Sequence, residues 1–214
     1  MKTQIPASVK IVAVSKTKPA ADILEAYNTG HRIFGENRVS ELVSKKSELP
    51  GDIEWHFIGH LQSNKVKQVV SCADMIQSVD SLKLLETIEK ESGKNSRITN
   101  CLLQFHIARE ETKYGFSPEE AHDLFSVRKA ESFKNVSIRG VMGMATFTDD
   151  MSLIREEFRF LKKCFDQLKD EYFSNDDSFR EISMGMSGDY MVAIEEGATI
   201  VRIGSLIFGE RIKN

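Results

Sequence analysis

Short apolar runs alternate with helical patterns along the chain from Lys10 onward, and this alternation is the feature that most constrains the fold. The predicted strands are 10–15, 32–35, 55–59, 75–79, 101–106, 138–144, 181–184 and 200–204. The predicted helices between them are 20–28, 38–47, 63–70, 81–92, 118–133, 151–173 and 189–196. About eight strand and helix units predict an α/β fold, a (β/α)₈ or TIM barrel, rather than a doubly wound sheet.

Residues at the predicted helix ends agree with this division. Gly30 follows the first helix as an expected C-cap, and Ser81, Ser117 and Ser152 stand where N-caps are expected. Asp189, at the start of the last predicted helix, is read as a cap rather than as a ligand of a phosphate.

Composition limits the class of protein. The 214 residues are 41% hydrophobic and 29% charged, which predicts one globular domain over residues 1–214. A net charge of -3 without a basic run favours neither nucleic acid nor anionic membrane as a partner. Cys72, Cys101 and Cys164 are widely spaced, and no leader or membrane-spanning apolar stretch is evident. We therefore expect a cytoplasmic monomer without a metal site.

Lys16 lies at the carboxyl end of the first predicted strand, in the motif AVSKTKP. Side chains two apart share a face, so Lys16 is expected on the same face as Val12 and Val14. A free lysine needs roughly 4 to 5 kcal/mol to present its neutral amine at neutral pH, and burial beside Val14 reduces that cost. Lys16 can then form a Schiff base with an aldehyde or ketone. The alternative is a lysine that snorkels from a strand end. Lys18, in the following loop, is the weaker candidate.

Two loops near the end of the chain concentrate glycine and serine. They are SMGMSGD after the seventh predicted strand and RIGSLIFG after the eighth, the loops that often hold a phosphate in such barrels. Glycine lets the backbone N–H groups approach an anion, and Ser187 and Ser205 add hydroxyl donors beside Gly204. In either loop alone, the glycine and serine residues can equally be those of an ordinary turn. Together, and opposite a strand-end lysine, they indicate a phosphorylated carbonyl compound.

Arg202 alternates out of phase with Val201 and Ile203, so it is expected to point into the barrel. A buried arginine needs an acceptor. If the ligand is pyridoxal phosphate, its pyridine nitrogen can accept from Arg202 and remain unprotonated, which makes the ring a poor electron sink. The alternative is a pair between Arg202 and a carboxylate of the barrel.

Other polar groups follow predicted strand ends, and Asn37 is expected to hydrogen-bond the ligand. His56 and His60 have metal-like spacing, but on a strand they are roughly 13 Å apart, so both are interpreted as structural. Met142 and Met144 are expected to fill the barrel. The remaining strand-end groups are Glu36, His106, Glu111 and Lys113.

The motifs AVSKTKP, FGEN, HFIGHLQSNK, EETKYG, SMGMSGD and RIGSLIFGER occur in this order over nearly the whole chain. They closely resemble the pyridoxal phosphate homeostasis protein family. The resemblance implies an alanine-racemase-like barrel in which Lys16 holds pyridoxal 5′-phosphate as an internal aldimine. It also implies phosphate contacts from Ser187, Gly204 and Ser205, with Arg202 facing the pyridine nitrogen.

The resemblance implies a protein that binds and buffers the cofactor, with effects on vitamin B6 and amino-acid balance and no established turnover. Pyridoxal-phosphate-dependent apoenzymes are the expected partners. The alternative is an amino-acid racemase or lyase that uses the same lysine. Related racemases add a β-domain and a tyrosine base from a partner subunit, whereas this sequence ends at Asn214, so the carrier is favoured. A lysine-dependent aldolase shares Lys16 but has no evident use for Arg202.

Overall fold

Eight parallel strands close into a barrel, in the order β1 to β8 along the chain. The computed structural model describes residues 5–110, 114–127 and 132–210. The strands are β1 (Lys10–Val14), β2 (Ile33–Glu36), β3 (Glu54–Phe57), β4 (Met75–Val79), β5 (Thr99–Phe105), β6 (Val136–Gly143), β7 (Glu181–Ser183) and β8 (Ile200–Ile203). The predicted (β/α)₈ fold is therefore confirmed.

Helices follow the strands and form the outer layer of the barrel. They are α1 (Ala20–Asn28), α2 (Val39–Glu48), α3 (Val66–Cys72), α4 (Leu82–Lys94), α5 (Pro118–Val127), α6 (Met151–Tyr172), α7 (Tyr190–Glu195) and α8 (Ser205–Phe208), with a 3₁₀ turn at Ser63–Lys65 before α3. The short α8 was not predicted, because four residues carry no helical period. Part of the predicted 118–133 helix, residues 128–131, lies outside the described residues, and Phe133 is not helical.

Two strands begin two residues earlier than predicted. β5 begins at Thr99 and β6 at Val136, although polar residues interrupt the apolar pattern of both segments. These strands pair with each other over their whole length. Because of this pairing, the polar residues at their starts are part of the sheet. The register shifts where Leu102 aligns with Gly140, which is the signature of a β-bulge in β6.

Three of the expected helix caps are found. The hydroxyl of Ser81 accepts a hydrogen bond from the Leu84 N–H at 3.4 Å. Ser117 and Glu120 form a capping box, in which each side chain accepts from the backbone N–H of the other residue. Gly30 has a φ of +93° just beyond α1, a conformation that glycine adopts without a steric penalty.

The N-cap predicted at Ser152 was wrong. The N-cap of α6 is Asp150, whose carboxylate accepts hydrogen bonds from the N–H groups of Ser152 and Leu153, at 3.0 and 3.2 Å. The helix begins at Met151, so Ser152 is already in its first turn. Asp is as good an N-cap as Ser, and the spacing of the polar residues alone does not distinguish them.

The apolar residues form two separate layers. The larger cluster lies between strands and helices, and α6 contributes Phe158 and Leu161 to it. The smaller cluster fills the barrel interior with Val12, Met75, Leu102, Met142 and Ile200. The interpretation of Met142 as barrel filling is confirmed.

Two kinds of feature are absent from residues 5–110, 114–127 and 132–210. Within these ranges, no helix combines the length and the apolar character that crossing a bilayer requires. The same ranges contain no group of three or more His, Cys, Asp or Glu side chains arranged to hold a metal ion.

Gly140 allows β6 and β7 to approach closely at the bulge. Its φ is +147°, and a Cβ atom added there would lie 1.9 Å from the carbonyl oxygen of Glu181. We expect Gly140→Ala to reduce the free energy of unfolding by about 3 kcal/mol or more, since overpacking costs about 1–3 kcal/mol and a left-handed backbone adds about 1–2 kcal/mol. Chemical denaturation followed by circular dichroism measures this loss.

Gly51→Ala is the matched control, because an added Cβ there meets nothing within 4 Å. We expect this variant to change stability by less than about 0.5 kcal/mol. Equal stability of the two variants would contradict the assignment of a close approach at Gly140.

Candidate functional site

A cavity of about 600 Å³ opens at the carboxyl ends of the barrel strands. Its lining includes all six residues that were predicted to bind a ligand: Lys16, Asn37, Ser187, Arg202, Gly204 and Ser205. These residues come from three separate parts of the sequence, and barrel closure brings them together, since β1 pairs directly with β8. The cavity therefore combines an amine, an amide, two hydroxyls and a guanidinium group.

Lys16 lies just beyond the last residue of β1, between two anchored neighbours. The Ser15 N–H donates to the Gly35 carbonyl at 3.0 Å, which continues the β1–β2 ladder past the strand end. The Thr17 N–H donates to a carboxylate oxygen of Glu41 at 2.7 Å. Thr17 has a φ of +65°, which costs a residue other than glycine about 1–2 kcal/mol. The hydrogen bond that Thr17 donates to Glu41 helps to hold this turn.

A mostly buried group of polar and charged side chains supports the Lys16 segment. We call Ser15, Glu36, Glu41 and Lys45 the Lys45 cluster. The Lys45 ammonium donates to the Ser15 carbonyl at 2.9 Å, to Glu36 at 2.7 Å and to Glu41 at 3.0 Å. The Ser15 hydroxyl also donates to Glu36, at 2.6 Å. Through the Ser15 carbonyl, the cluster thus holds the peptide group that joins Ser15 to Lys16.

Burial and hydrogen bonding shift the pKa values of the two acids in the Lys45 cluster in opposite directions. Glu36 is fully buried and one of its carboxylate oxygens, Oε2, has no hydrogen-bond partner within the described structure. Burial raises the pKa of Glu36 above its ordinary value, against the opposing hydrogen bonds from Lys45 and Ser15. Burial also acts to raise the pKa of Glu41, but hydrogen bonds from the Thr17 N–H and Lys45 outweigh it, so that pKa is lowered.

The loops after β7 and β8 touch each other at the cavity. The Gly204 N–H donates to the Ser187 hydroxyl at 3.2 Å, and α8 begins with Ser205. The atoms nearest to a Cβ added at Gly204 would belong to Val14, at an ordinary distance of 3.5 Å. Protein packing therefore does not require glycine at this position. Its open side faces the cavity, where a ligand can approach the backbone closely.

Arg202 points into the barrel, as its alternation predicted, and only 4% of it is exposed. One guanidinium nitrogen donates to the Ser183 hydroxyl at 2.8 Å and another to the Gly143 carbonyl at 2.9 Å. Neither acceptor is a carboxylate, and within the described part of the chain the alternative of a carboxylate pair was wrong. Burial lowers the pKa of Arg202 to about 10, opposed by the negative charge of Asp189. The group remains protonated at neutral pH.

Asn37 presents an unsatisfied acceptor in the cavity wall. Its side-chain oxygen is buried and has no donor among the described residues. A buried acceptor without a partner costs about 1–3 kcal/mol, so a ligand donor at this point would recover that energy. The sequence pattern could not predict that the Asn37 oxygen lacks a donor.

The remaining strand-end groups lie in different surroundings. His56 is fully buried in the barrel, whereas His60 lies at the cavity, stacks on Tyr114 with ring centroids 4.0 Å apart, and contacts Asp80 at 3.1 Å. His106 contacts the Glu110 carbonyl at 2.9 Å. The predicted positions Glu111 and Lys113 lie outside the described residues.

Sequence reasoning missed several residues of the site. Lys45 is 7% exposed, although its i,i+4 spacing from Glu41 is typical of a solvated helix surface. Phe147, in the loop before α6, lines the cavity while remaining 96% exposed. A single aromatic residue in a polar loop carries no periodic signal, so no pattern could have identified it.

Comparison with known proteins provides independent evidence. The family model described as "Alanine racemase, N-terminal domain" matches residues 1–212. A protein of Aquifex aeolicus named pyridoxal phosphate homeostasis protein is 42% identical over 203 residues, which are 94% of this chain and 87% of that protein. The human protein of the same name is 38% identical over 213 residues, covering 94% of this chain and 76% of that protein.

Solved structures agree with these sequence matches. PipY of Synechococcus elongatus PCC7942, solved with PLP bound, is similar with a TM-score of 0.87 and 36% identity, over 97% of this chain and 96% of that chain. An alanine racemase of Clostridium difficile 630 has a TM-score of 0.74 at 12% identity, over all of this chain and 55% of that one. The latter similarity shows the fold alone.

We expect Lys45→Met to reduce the free energy of unfolding by about 3–5 kcal/mol, because it leaves the buried Glu36 carboxylate without its cation. Chemical denaturation measures the loss. Adding Glu36→Gln to Lys45→Met removes the unpaired charge, so the double variant should be more stable than Lys45→Met alone.

Lys46→Met is the control on the same helix, because the side chain of Lys46 is 29% exposed and its amine lies 3.9 Å from Asp74. It should change stability by less than about 1 kcal/mol. A Lys45→Met variant as stable as this control would refute the role of the Lys45 cluster.

Proposed function

Because the chain belongs to the pyridoxal phosphate homeostasis protein family, we propose that it binds pyridoxal 5′-phosphate through a Schiff base with Lys16. On this proposal the protein is a non-catalytic carrier and regulator in vitamin B6 and amino-acid homeostasis. The observation that carries the proposal is that an amine, two serine hydroxyls with a glycine, and a charged arginine line one cavity.

Five of the six predicted residues have a matching group on the cofactor. The aldehyde carbon is the electrophile for the Lys16 amine. The phosphate pairs with Ser187, Ser205 and the half-buried backbone at Gly204. Arg202 is buried and pairs with no carboxylate of the described residues, so its guanidinium suits the lone pair of the pyridine nitrogen. The side-chain oxygen of Asn37, which has no donor among those residues, can accept a further hydrogen bond. A cavity of about 600 Å³ is in the range of ligand sites in proteins.

The state of Arg202 supports a carrier over an enzyme. Its pKa of about 10 keeps the guanidinium protonated at neutral pH, so it donates to the pyridine nitrogen and does not supply a proton. Pyridoxal phosphate, when bound, serves carbanion chemistry as an electron sink, and an unprotonated ring weakens that capacity. Arg202 thereby favours storage of the cofactor over catalytic turnover.

A racemase or lyase remains the alternative function. Its support is the barrel shared with alanine racemase, a similarity at 12% identity that extends to the fold alone. Against it stand the names of the relatives, which describe homeostasis of the cofactor. The two functions differ in one measurable step, which is removal of the α-proton from an amino acid.

We further propose the setting in which the carrier works. A single domain spanning residues 1–214 acts as a cytoplasmic monomer and delivers pyridoxal phosphate to apoenzymes that depend on it. The net charge of -3 is consistent with a protein that binds neither nucleic acid nor anionic membrane. All three cysteines are free thiols, which suits a reducing compartment.

Lys16→Ala should abolish the covalent attachment of the cofactor. Incubation with pyridoxal phosphate followed by borohydride reduction is expected to label Lys16 in the unmodified protein and at least tenfold less of the variant. Peptide mapping by mass spectrometry locates the label, and the visible absorbance of the unreduced sample reports the Schiff base.

Lys18→Ala is the matched control, since Lys18 also lines the cavity and its amine donates to the Phe208 carbonyl at 2.6 Å. This variant should keep both the absorbance and the label on Lys16. Attachment that persists in Lys16→Ala, or that maps to Lys18, would remove the proposed role of Lys16.

The carrier should not accelerate proton exchange on an amino acid. With the protein loaded with pyridoxal phosphate in D₂O, deuterium incorporation into L-alanine is expected to proceed within about tenfold of the rate with free cofactor. Proton NMR of the alanine α-position measures the exchange. A positioned acid or base contributes about 10² to 10⁴ in rate, so exchange accelerated 100-fold or more would favour the racemase or lyase.

A further inference from the structure

A series of hydrogen bonds runs through the barrel interior below Arg202. The guanidinium of Arg202 donates to the Ser183 hydroxyl at 2.8 Å, and this hydroxyl donates to the side-chain oxygen of Gln77 at 2.6 Å. Ser183 and Gln77 are completely buried. These contacts lead away from the cavity, from β8 through β7 to β4 on the far side of the barrel.

The series continues to the opposite end of the barrel. The Gln77 amide nitrogen lies 2.7 Å from Nδ1 of His56, and Nε2 of His56 lies 2.9 Å from a carboxylate oxygen of Glu54. Glu54 is the first residue of β3, so it stands at the amino ends of the strands, and 45% of its side chain is exposed. We call these five side chains the interior path.

The donors and acceptors allow one direction along the interior path. Arginine only donates and an ionised carboxylate only accepts, so one proton is donated at each step from Arg202 to Glu54. His56 must then accept at Nδ1 and carry its proton on Nε2, as a neutral ring. The hydrogen bond from His56 lowers the pKa of Glu54, which keeps the final acceptor ionised at neutral pH.

The same count of donors and acceptors disfavours a Gln77 amide that is flipped, with its oxygen toward His56 and its nitrogen toward Ser183. Ser183 would then face two donors, the guanidinium and the amide, and its own proton would lose the Gln77 acceptor. His56 would carry its proton on Nδ1 and turn a bare Nε2 toward the Glu54 carboxylate. A buried series of side chains whose hydrogen bonds are all satisfied in only one donor-to-acceptor direction makes the core rigid.

We infer that His56 is a positioning residue for Arg202, acting through Gln77 and Ser183. By accepting from Gln77, His56 turns the amide oxygen toward Ser183, and the Ser183 hydroxyl then offers its lone pairs to the guanidinium. Ser183 and Gly143 together occupy two of the five donors of Arg202 and fix the rotation of the planar group. The inference rests on the proposed function, because the ligand atom that meets Arg202 is the pyridine nitrogen of pyridoxal phosphate.

The first test needs no cofactor. Long-range ¹H–¹⁵N correlation spectra of the full-length protein at neutral pH report which ring nitrogen of each of the five histidines carries a proton. The loss of one set of signals in His56→Phe assigns His56. We expect a neutral ring protonated on Nε2. A proton on Nδ1, or a cationic ring, would overturn the proposed direction.

The second test compares two ligands in the same variants. One is pyridoxal phosphate, and the other is its carbocyclic analogue, in which CH replaces the pyridine nitrogen. We expect His56→Phe to weaken pyridoxal phosphate binding about tenfold, which corresponds to about 1.4 kcal/mol, and to leave binding of the analogue within about twofold. Equal weakening of both ligands would indicate a purely structural role and overturn the inference.

Further variants keep the test decisive. His56→Asn retains an amide oxygen that can accept from Gln77, so it should recover most of the lost affinity. Glu54→Ala leaves the core intact if His56→Phe does not fold, and it should also weaken only pyridoxal phosphate. Asp52→Asn is the control, because Asp52 lies close to Glu54 in sequence but pairs with Arg32 and Tyr27 and should affect neither ligand.

The outcomes separate the inference from the proposed function. If the unmodified protein binds neither ligand, the proposed function fails, whereas the proton position on His56 still decides the direction of the interior path. If it binds both and no variant distinguishes them, the inference alone fails.

Discussion

Closure of the parallel ring is the constraint on which the site depends. Pairing of β1 with β8 aligns Val12 with Arg202 and Ala13 with Ile203, and so joins the two ends of the sequence. Because all eight strands are parallel, every strand-to-helix loop opens at the same face. An amine near the start of the chain and the serine and glycine loops near its end thereby meet in one cavity. Neither end could form this site without the strands between them.

The barrel interior is divided between an apolar filling and a polar path. Five apolar side chains pack together inside, while Ser183, Gln77 and His56 cross the same interior as fully buried polar groups. Buried polar groups are costly unless they are hydrogen-bonded, and here each has a partner. The interior therefore serves both to fill the ring and to orient the arginine at the mouth.

Sequence reasoning was strongest where a residue follows the period of its own strand. Arg202 lies out of phase with two core residues, and Lys16 ends an apolar run, so their faces and ends could be predicted. It was weakest where position depends on another element. Lys45 looks like a surface residue of a helix and Gln77 like a polar interruption of a strand. Their burial follows from neighbours distant in sequence, such as Glu36 and His56, which a local pattern cannot specify.

The anchors of Lys16 have a consequence for how barrels of this type can be recombined. The lysine belongs to the first strand and helix unit, whereas Glu36, Glu41 and Lys45, which hold its neighbouring peptides, belong to the second. Grafting only the lysine loop onto another barrel would omit the side chains that hold it in place. The smallest transferable module is thus the pair of units, and homologous barrels should exchange them as a block.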